Sequence, residues 1–285
     1  MAVINTNVQS LTAQRNLSTS QSQLSTSMQR LSSGLRINSA KDDAAGLAIA
    51  DRMNTQVRGM NVAVRNAGDA ISMAQVAEGG LSTMNDLLQR MRELAVQASN
   101  APNSAGSAGD IAKLDNEYKQ LGAELSRMLD ATQFNGEKIL NTSASYVFQV
   151  GANAGAENQI TIANGDISLS GNAAFSAVAS GGASATLITG TASANTANIA
   201  ALDAAISAVN DRRASLGALQ SRFENTISYL RTASENQSAA RGRIMDADFA
   251  AETANLSRTQ VLQQAGTAMI AQANQAPQQV LALLR

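Results

Sequence analysis

The sequence predicts a mainly α fold: long coiled-coil-like helices from both termini packed as a rod, with a small β-hairpin region in the middle. Three observations predict it. Apolar residues recur at alternating steps of three and four through both outer parts of the chain, the spacing of a helix stripe. Hydrophobic residues make up 44% but aromatics only 3%, with no Trp, so much of the apolar share is Ala, which suits thin helix contacts better than a thick core. Between the helical ends lie short runs rich in β-branched and aromatic residues, bounded by Asn and Gly.

The elements follow in order. Ile4, Val8, Leu11, Leu17, Leu24, Met28, Leu31 and Leu35 form a first stripe, with a phase slip between Leu11 and Leu24 and only Arg15, Arg30 and Arg36 as charges before Lys41. "GLRINSAKDDAAG" ends that helix at Gly34 and restarts one, with Ser39 placed as N-cap and Asp42 and Asp43 in the first turn, where carboxylates complement exposed N–H groups. Behind it the rhythm Met53, Val57, Met60, Val64, Ala67, Ile71, Ala74 continues through Leu94, predicting a helix of roughly 55 residues, about 80 Å long, with Gly79-Gly80 as a place to bend or break. A second helix carries Ile111, Leu114, Tyr118, Leu121, Leu125 and Met128, and "FNG" at 134 to 136 stops it.

Strands are expected at 146 to 150, 160 to 162 and 167 to 169, the last two joined by a tight turn at Asn164-Gly165. Residues 170 to 198 read as small, polar and weakly structured. A last long helix begins near Thr196 with Ile199, Leu202, Ile206, Val209, Leu216, Phe223, Ile227 and Leu230, its seam weakened at Arg213 and Gln220. The final stripe is Leu262, Gly266, Met269, Ala273, Ala276, Val280 and Leu283, with Pro277 expected to kink or end the helix. Both ends therefore carry apolar, charge-poor faces that cover one another, within one molecule and between many.

Composition removes whole classes of function. Without Cys or His there is no thiol nucleophile, no thiolate or imidazole metal ligand and no imidazole for proton transfer. Asp42 and Asp43 are adjacent on a helix and diverge, so they read as dipole caps rather than an acid/base pair. With no phosphate loop or nucleophile-base pair either, the chain reads as no enzyme, with no cofactor and no metal. A net charge of -1 offers no field for nucleic acid. The long uncharged runs at 167 to 202 and 259 to 284 are too rich in hydroxyls and amides to span a membrane, and the start of the chain lacks the pattern of a cleaved signal peptide. The Met series at 53, 60, 73, 84 and 91 reads as helix core. Glycines at 46, 59, 68, 79, 80, 242 and 266 mark close helix approach or tolerated irregularity; the residues alone leave both open.

"MAVINTNVQSLTAQRNL", "RLSSGLRINSAKDDAAGLAIADRM", "LLQRMRELAVQASN", "TQFNGEKIL", "SRFENTISYL" and the run from "RIMDADFAAETANLSRTQ" to "QAPQQVLALLR" resemble bacterial flagellins, in matching order over about 1 to 145 and 200 to 285. The resemblance implies an inner-core helix at 1–40, outer helical halves at 41–140 and 196–243, a short β-hairpin and variable loop region at 141–195, and a C-terminal inner-core helix at 244–285. It implies a subunit that polymerises with itself into the extracellular flagellar filament for swimming, exported through the flagellar channel, with an export chaperone at the C-terminal helices and with filament cap and hook-junction proteins as neighbours. Ile4, Val8, Leu11, Leu24, Met28, Leu31, Leu262, Met269, Val280 and Leu283 are the expected filament-core contacts. Gln89, Arg90, Glu93, Leu94, Gln97 and Glu117 match a surface recognised by a host Toll-like receptor, which the resemblance implies is covered by subunit packing in the polymer, so that the residues also serve assembly. A hook-filament junction protein and a surface glycan-binding adhesin carried by residues 140 to 195 are the alternatives; Ser and Thr there are also where glycans are expected if the chain carries any.

Overall fold

A computed structural model of the chain describes residues 6–100, 108–179 and 192–282. Two compact units result: Met1–Thr55 with Glu235–Arg285, and Gln56–Ser234. Their boundaries fall inside long helices rather than at the helix breaks near residues 40 and 244.

In the first unit, α1 (Val8–Ser33) pairs with α7 (Phe249–Ala282). Asn7 caps α1 by accepting from the Ser10 N–H at 3.1 Å, and Gly34 ends it in the left-handed region at φ 71°, where a Cβ would be strained. The chain after α1 and the chain before α7 then pair: the Arg36 N–H donates to the Met245 carbonyl at 2.6 Å and the Ala247 N–H to the Gly34 carbonyl at 2.9 Å. Asp248 caps α7, accepting from the Ala250 and Ala251 N–H groups at 2.9 and 3.2 Å.

"KDDAAG" is a helix start, but one set later than expected. Helix α2 (Ala44–Ala98) is capped by Asp43, whose carboxylate accepts the Gly46 N–H at 2.8 Å. Ser39 does not cap it. Asp42 instead closes the preceding turn, accepting from the Ser39 N–H at 2.9 Å, the Asn38 N–H at 3.1 Å and the Ser39 hydroxyl at 3.1 Å. The Ser39 and Asn38 backbone bonds, then the hydroxyl, hold its carboxyl below the ordinary range.

Helix α2 spans 55 residues without a break at Gly79-Gly80. Gly80 is a close approach, since a Cβ there would lie 2.9 Å from Thr132 Oγ1, whereas Gly79 faces open space. Replacing Gly79 by Ala is expected to stabilise the chain by about 0.5–1 kcal/mol through helix propensity, read as a raised midpoint in urea unfolding.

The second unit has its core among α2, α3 (Ala108–Ala131) and α6 (Ala192–Met245). Leu81, Met84, Leu88 and Met91 of α2, Leu125 of α3, and Leu202, Val209, Leu216 and Phe223 of α6 are fully buried. The methionines at 60, 73, 84 and 91 are thus core, as their spacing indicated. Gln220 does not open the seam: its amide donates to Glu78 Oε2 at 3.1 Å.

The middle of the chain departs from expectation three times. "FNG" does more than stop α3. Asn135 (φ 51°) and Gly136 (φ 84°) form the tight turn joining β1 (Gln133–Phe134) to β2 (Glu137–Lys138). Lys138 and Asn141 both donate to Asp130 Oδ1, at 2.8 and 2.7 Å, and tie this hairpin to the end of α3. Asn164-Gly165, by contrast, makes no hairpin. The strand β3 (Tyr146–Gln149) pairs antiparallel with β4 (Gln159–Ile162), and Asn164–Ile167 is a single helical turn, α4. The Asp166 carboxylate accepts the Ala163 N–H at 3.3 Å and the Ser168 N–H reaches the Asn164 carbonyl at 2.9 Å, so side chain to backbone bonds favour the helical turn over a ladder. Residues 167 to 169 are therefore no strand, although Ile167 and Leu169 are buried.

Third, part of the stretch read as weakly structured is helix α5 (Ala173–Ala179), capped by Asn172 at 3.1 Å and anchored by buried Phe175 and Val178. Helix α6 begins at Ala192, with Asn195 and Asn198 buried; residues 180–191 lie outside the described residues. Phe148 of β3 meets Phe223 edge to face at 5.9 Å, which fastens the sheet to α6.

Candidate assembly surface

The α1–α7 seam is regular and mostly small or polar. On α1, Ser10, Ala13, Leu17, Ser20, Leu24, Ser27 and Leu31 are buried or half-buried, with perfect three-four alternation. On α7 the matching positions are Glu252, Leu256, Thr259, Gln263, Gly266, Ile270 and Ala273. Gly266 lets the helices close, since a Cβ there would stand 3.2 Å from Leu17 Cδ1. Ser10 Oγ donates to Asn274 Oδ1 at 2.8 Å. Arg30, in the last turn of α1, lies 3.9 Å from Glu252, in the first turn of α7, so each charge also faces the favourable end of its helix dipole.

This geometry explains the phase slip in the first stripe. Leu24 and Leu31 belong to the seam, whereas Val8, Leu11 and Met28 remain 63%, 53% and 55% exposed. On α7, Leu262 and Met269 flank the seam at 46% and 63% exposure, and Val261 and Phe249 are open as well. Of the other expected filament-core contacts, Ile4 and Leu283 and the side chain of Val280 lie outside the described residues. Sequence reasoning found part of the seam, at Leu17, Leu24, Leu31, Gly266 and Ala273, and missed the rest because it tracked apolar residues; Ser10, Ser27 and Thr259 at helical spacing were the available signal.

Between the two helices runs an apolar groove of about 790 Å³ lined by Val8, Thr12, Ala13, Leu17, Leu262, Ala265, Gly266, Met269 and neighbouring amides. The described parts of α1 and α7 carry only Arg15, Arg30, Glu252 and Arg258 as charges. A face this apolar and this weakly charged marks an interaction site. Each of its half-exposed large side chains retains about 1 kcal/mol of unrealised burial. Val8, Leu262 and Met269, the open large side chains on the groove, together retain about 3 kcal/mol.

The second predicted surface lies where α2 passes α3. Arg90 Nε and Nη2 donate to Glu117 Oε1 at 3.0 and 2.8 Å, and Nη1 to Glu93 Oε2 at 3.0 Å. Glu117, then Glu93, raises the guanidinium further above its ordinary range. Gln89 and Gln97 are exposed beside them. Leu94 is not on this surface: it is 1% exposed and packs into the core of the unit. Its four-residue step from Arg90 places the two side chains on neighbouring rather than identical directions, and α2 has core on more than one side. Arg92, on the other flank, forks onto Asp203 of α6 at 2.6 Å.

No group of three acidic residues able to hold a metal ion occurs among the described residues, and no described helix is long and apolar enough to cross a membrane.

Residues 4–145 match the model of the bacterial flagellin N-terminal helical region, and residues 199–284 that of the C-terminal helical region. A flagellin of Halalkalibacterium halodurans is 46% identical over 284 residues, covering 99% of this chain and 100% of that one. The chain belongs to the flagellin family. It is also 42% identical to the flagellar filament 33 kDa core protein of Treponema phagedenis, over 99% of this chain and 100% of the relative, and 40% identical to Bacillus subtilis flagellin over 99% of both. Among solved structures, Bacillus cereus flagellin aligns with a TM-score of 0.48 at 27% identity, covering 62% of this chain and 94% of that one. As a flagellin, the chain is a structural subunit of the flagellar filament, a self-polymer outside the cell that serves motility. At 285 residues it leaves little length between the two matched helical regions.

Proposed function

We propose that the large apolar side chains left open on the outside of the α1–α7 pair, Val8, Leu262 and Met269 on the groove and Leu11 and Met28 away from it, are what neighbouring subunits bury in the filament. The observation that carries this reading is that the α1–α7 seam takes up only part of the large apolar side chains, Leu17, Leu24, Leu31, Leu256 and Ile270 beside small and polar residues, and leaves Val8, Leu11, Met28, Leu262 and Met269 open. Deleting residues 265–285 removes half the groove wall, including Met269, and is expected to leave a soluble subunit that forms no filaments by electron microscopy. Unchanged filaments would refute the reading.

The same face is a natural seat for an export chaperone before assembly, and for cap and hook-junction proteins at the filament ends. Passage through the export channel in unfolded form fits a chain without disulfides and with few bulky aromatics. For a host Toll-like receptor, the exposed Gln89, Arg90, Glu93, Gln97 and Glu117 provide the polar contacts, with Leu94 supporting them from beneath. Arg90→Ala should then weaken capture of the monomer by the receptor ectodomain while filament formation in vitro continues.

A further inference from the structure

Ten methionines and no cysteine make thioethers the only oxidisable sulfur in this chain. Among the described residues their exposure spans a wide range: Met60, Met73, Met84 and Met91 are 0–9% exposed, Met53, Met128 and Met245 are half-buried, and Met28 and Met269 are 55% and 63% exposed. The two open methionines are on the α1–α7 pair, one on each helix; Met269 lines the groove, whereas Met28 stands outside it. We propose that Met28 and Met269 are oxidation sites through which peroxide reversibly blocks assembly of the free subunit. The inference rests on the assembly reading above.

The chemistry needs only a hydroperoxide. The sulfur lone pair attacks one peroxide oxygen, the O–O bond breaks and an S=O bond forms. The second oxygen leaves as water after proton transfer, so sulfur loses two electrons and hydrogen peroxide gains them. A flexible apolar side chain thereby becomes polar and chiral, and the sulfoxide oxygen resists burial in a contact shaped for a thioether. A methionine sulfoxide reductase reverses the change, the oxygen leaving as water at the expense of a thiol pair. Once subunits assemble, the two sulfurs are covered. The unassembled chain is therefore the vulnerable form, and the buried methionines are an internal control.

The test treats the full-length monomer with hydrogen peroxide, maps oxygen uptake per methionine by peptide mass spectrometry, and measures seeded polymerisation before and after reductase treatment. Met28 and Met269 are expected to oxidise at least roughly tenfold faster than Met60, Met73, Met84 and Met91. Polymerisation is expected to slow by a similar factor, to recover on reduction, and to become peroxide-resistant in a Met28→Leu, Met269→Leu chain of conserved side-chain volume. Uniform oxidation, unimpaired polymerisation of the oxidised chain, or a double variant as sensitive as the parent would each overturn the proposal. If untreated Val8→Ser, Leu262→Ser chains polymerise normally, the assembly reading fails instead, whatever the oxidation map shows.

Discussion

Replacing Tyr118 by Phe is expected to remove an alkaline weakness of about 3 kcal/mol. Tyr118 is 1% exposed in the core of the second unit, and its hydroxyl has no hydrogen-bond partner among the described residues. Burial first, and the Asp115 carboxylate second, push its phenol up from 10.0 to about 12. The unfolded chain ionises at the lower value and the folded chain at the higher. Stability is thus fully present below pH 10 and is lost as the pH climbs from about 10 to about 12, by about 1.4 kcal/mol for each unit. Phe keeps the ring and its packing without the ionising group. Urea unfolding of both chains at neutral pH and at steps from about 9 to 11.5 should show a difference between them that is constant up to about pH 10 and widens only in the alkaline range. At neutral pH the variant should match or exceed the parent by up to about 1 kcal/mol, because an unpaired buried hydroxyl is removed. Parallel alkaline losses in the two chains would rule this account out.

The second large effect concerns Asn7 and Pro277. Pro277 has no N–H, so the Ala273 carbonyl four residues earlier lacks its helical donor. Of the expected kink or end at Pro277, the end does not occur: helix α7 continues through Pro277 to Ala282. The Asn7 amide supplies the missing bond, donating to the Ala273 carbonyl at 2.7 Å, while its oxygen caps α1. Asn7→Asp keeps the cap and its charge suits a helix start, but it turns an oxygen toward the Ala273 carbonyl. The expected loss is about 1–3 kcal/mol of local stability, read by hydrogen exchange of the amides around Ile270 to Asn274 in the full chain. In a Pro277→Ala background the restored backbone N–H satisfies the Ala273 carbonyl, and the same Asn7→Asp change should cost less than about 0.5 kcal/mol. Equal costs in both backgrounds would show that Asn7 acts as a cap alone.

The helices were legible because their periodicity is long and redundant. The 55 residues of α2 repeat one pattern, so local disturbances such as Gly79-Gly80 do not mislead. The functional class was equally legible, from the flagellin-like motifs at both ends and the charge-poor stripes that carry them. The middle was harder. Two Asn-Gly pairs carry the same local signal, yet Asn135-Gly136 turns a hairpin and Asn164-Gly165 opens a helical turn. The difference lies in a neighbour: Asp166 offers the backbone an acceptor and so stabilises the alternative.

The sequence by itself determined the helical content, the lack of thiol and imidazole groups and the apolar character of the two ends, because each depends on residue type and spacing along one chain. Only the tertiary structure decided which apolar residues are used within the molecule. Leu24 and Met28 look alike in a stripe; one enters the seam and the other stays open. That choice depends on how closely α7 approaches, which Gly266 and the serines of α1 permit. Small side chains in the seam let the helices close on a few leucines, and the large side chains off that line, such as Met28 and Met269, are left for another subunit.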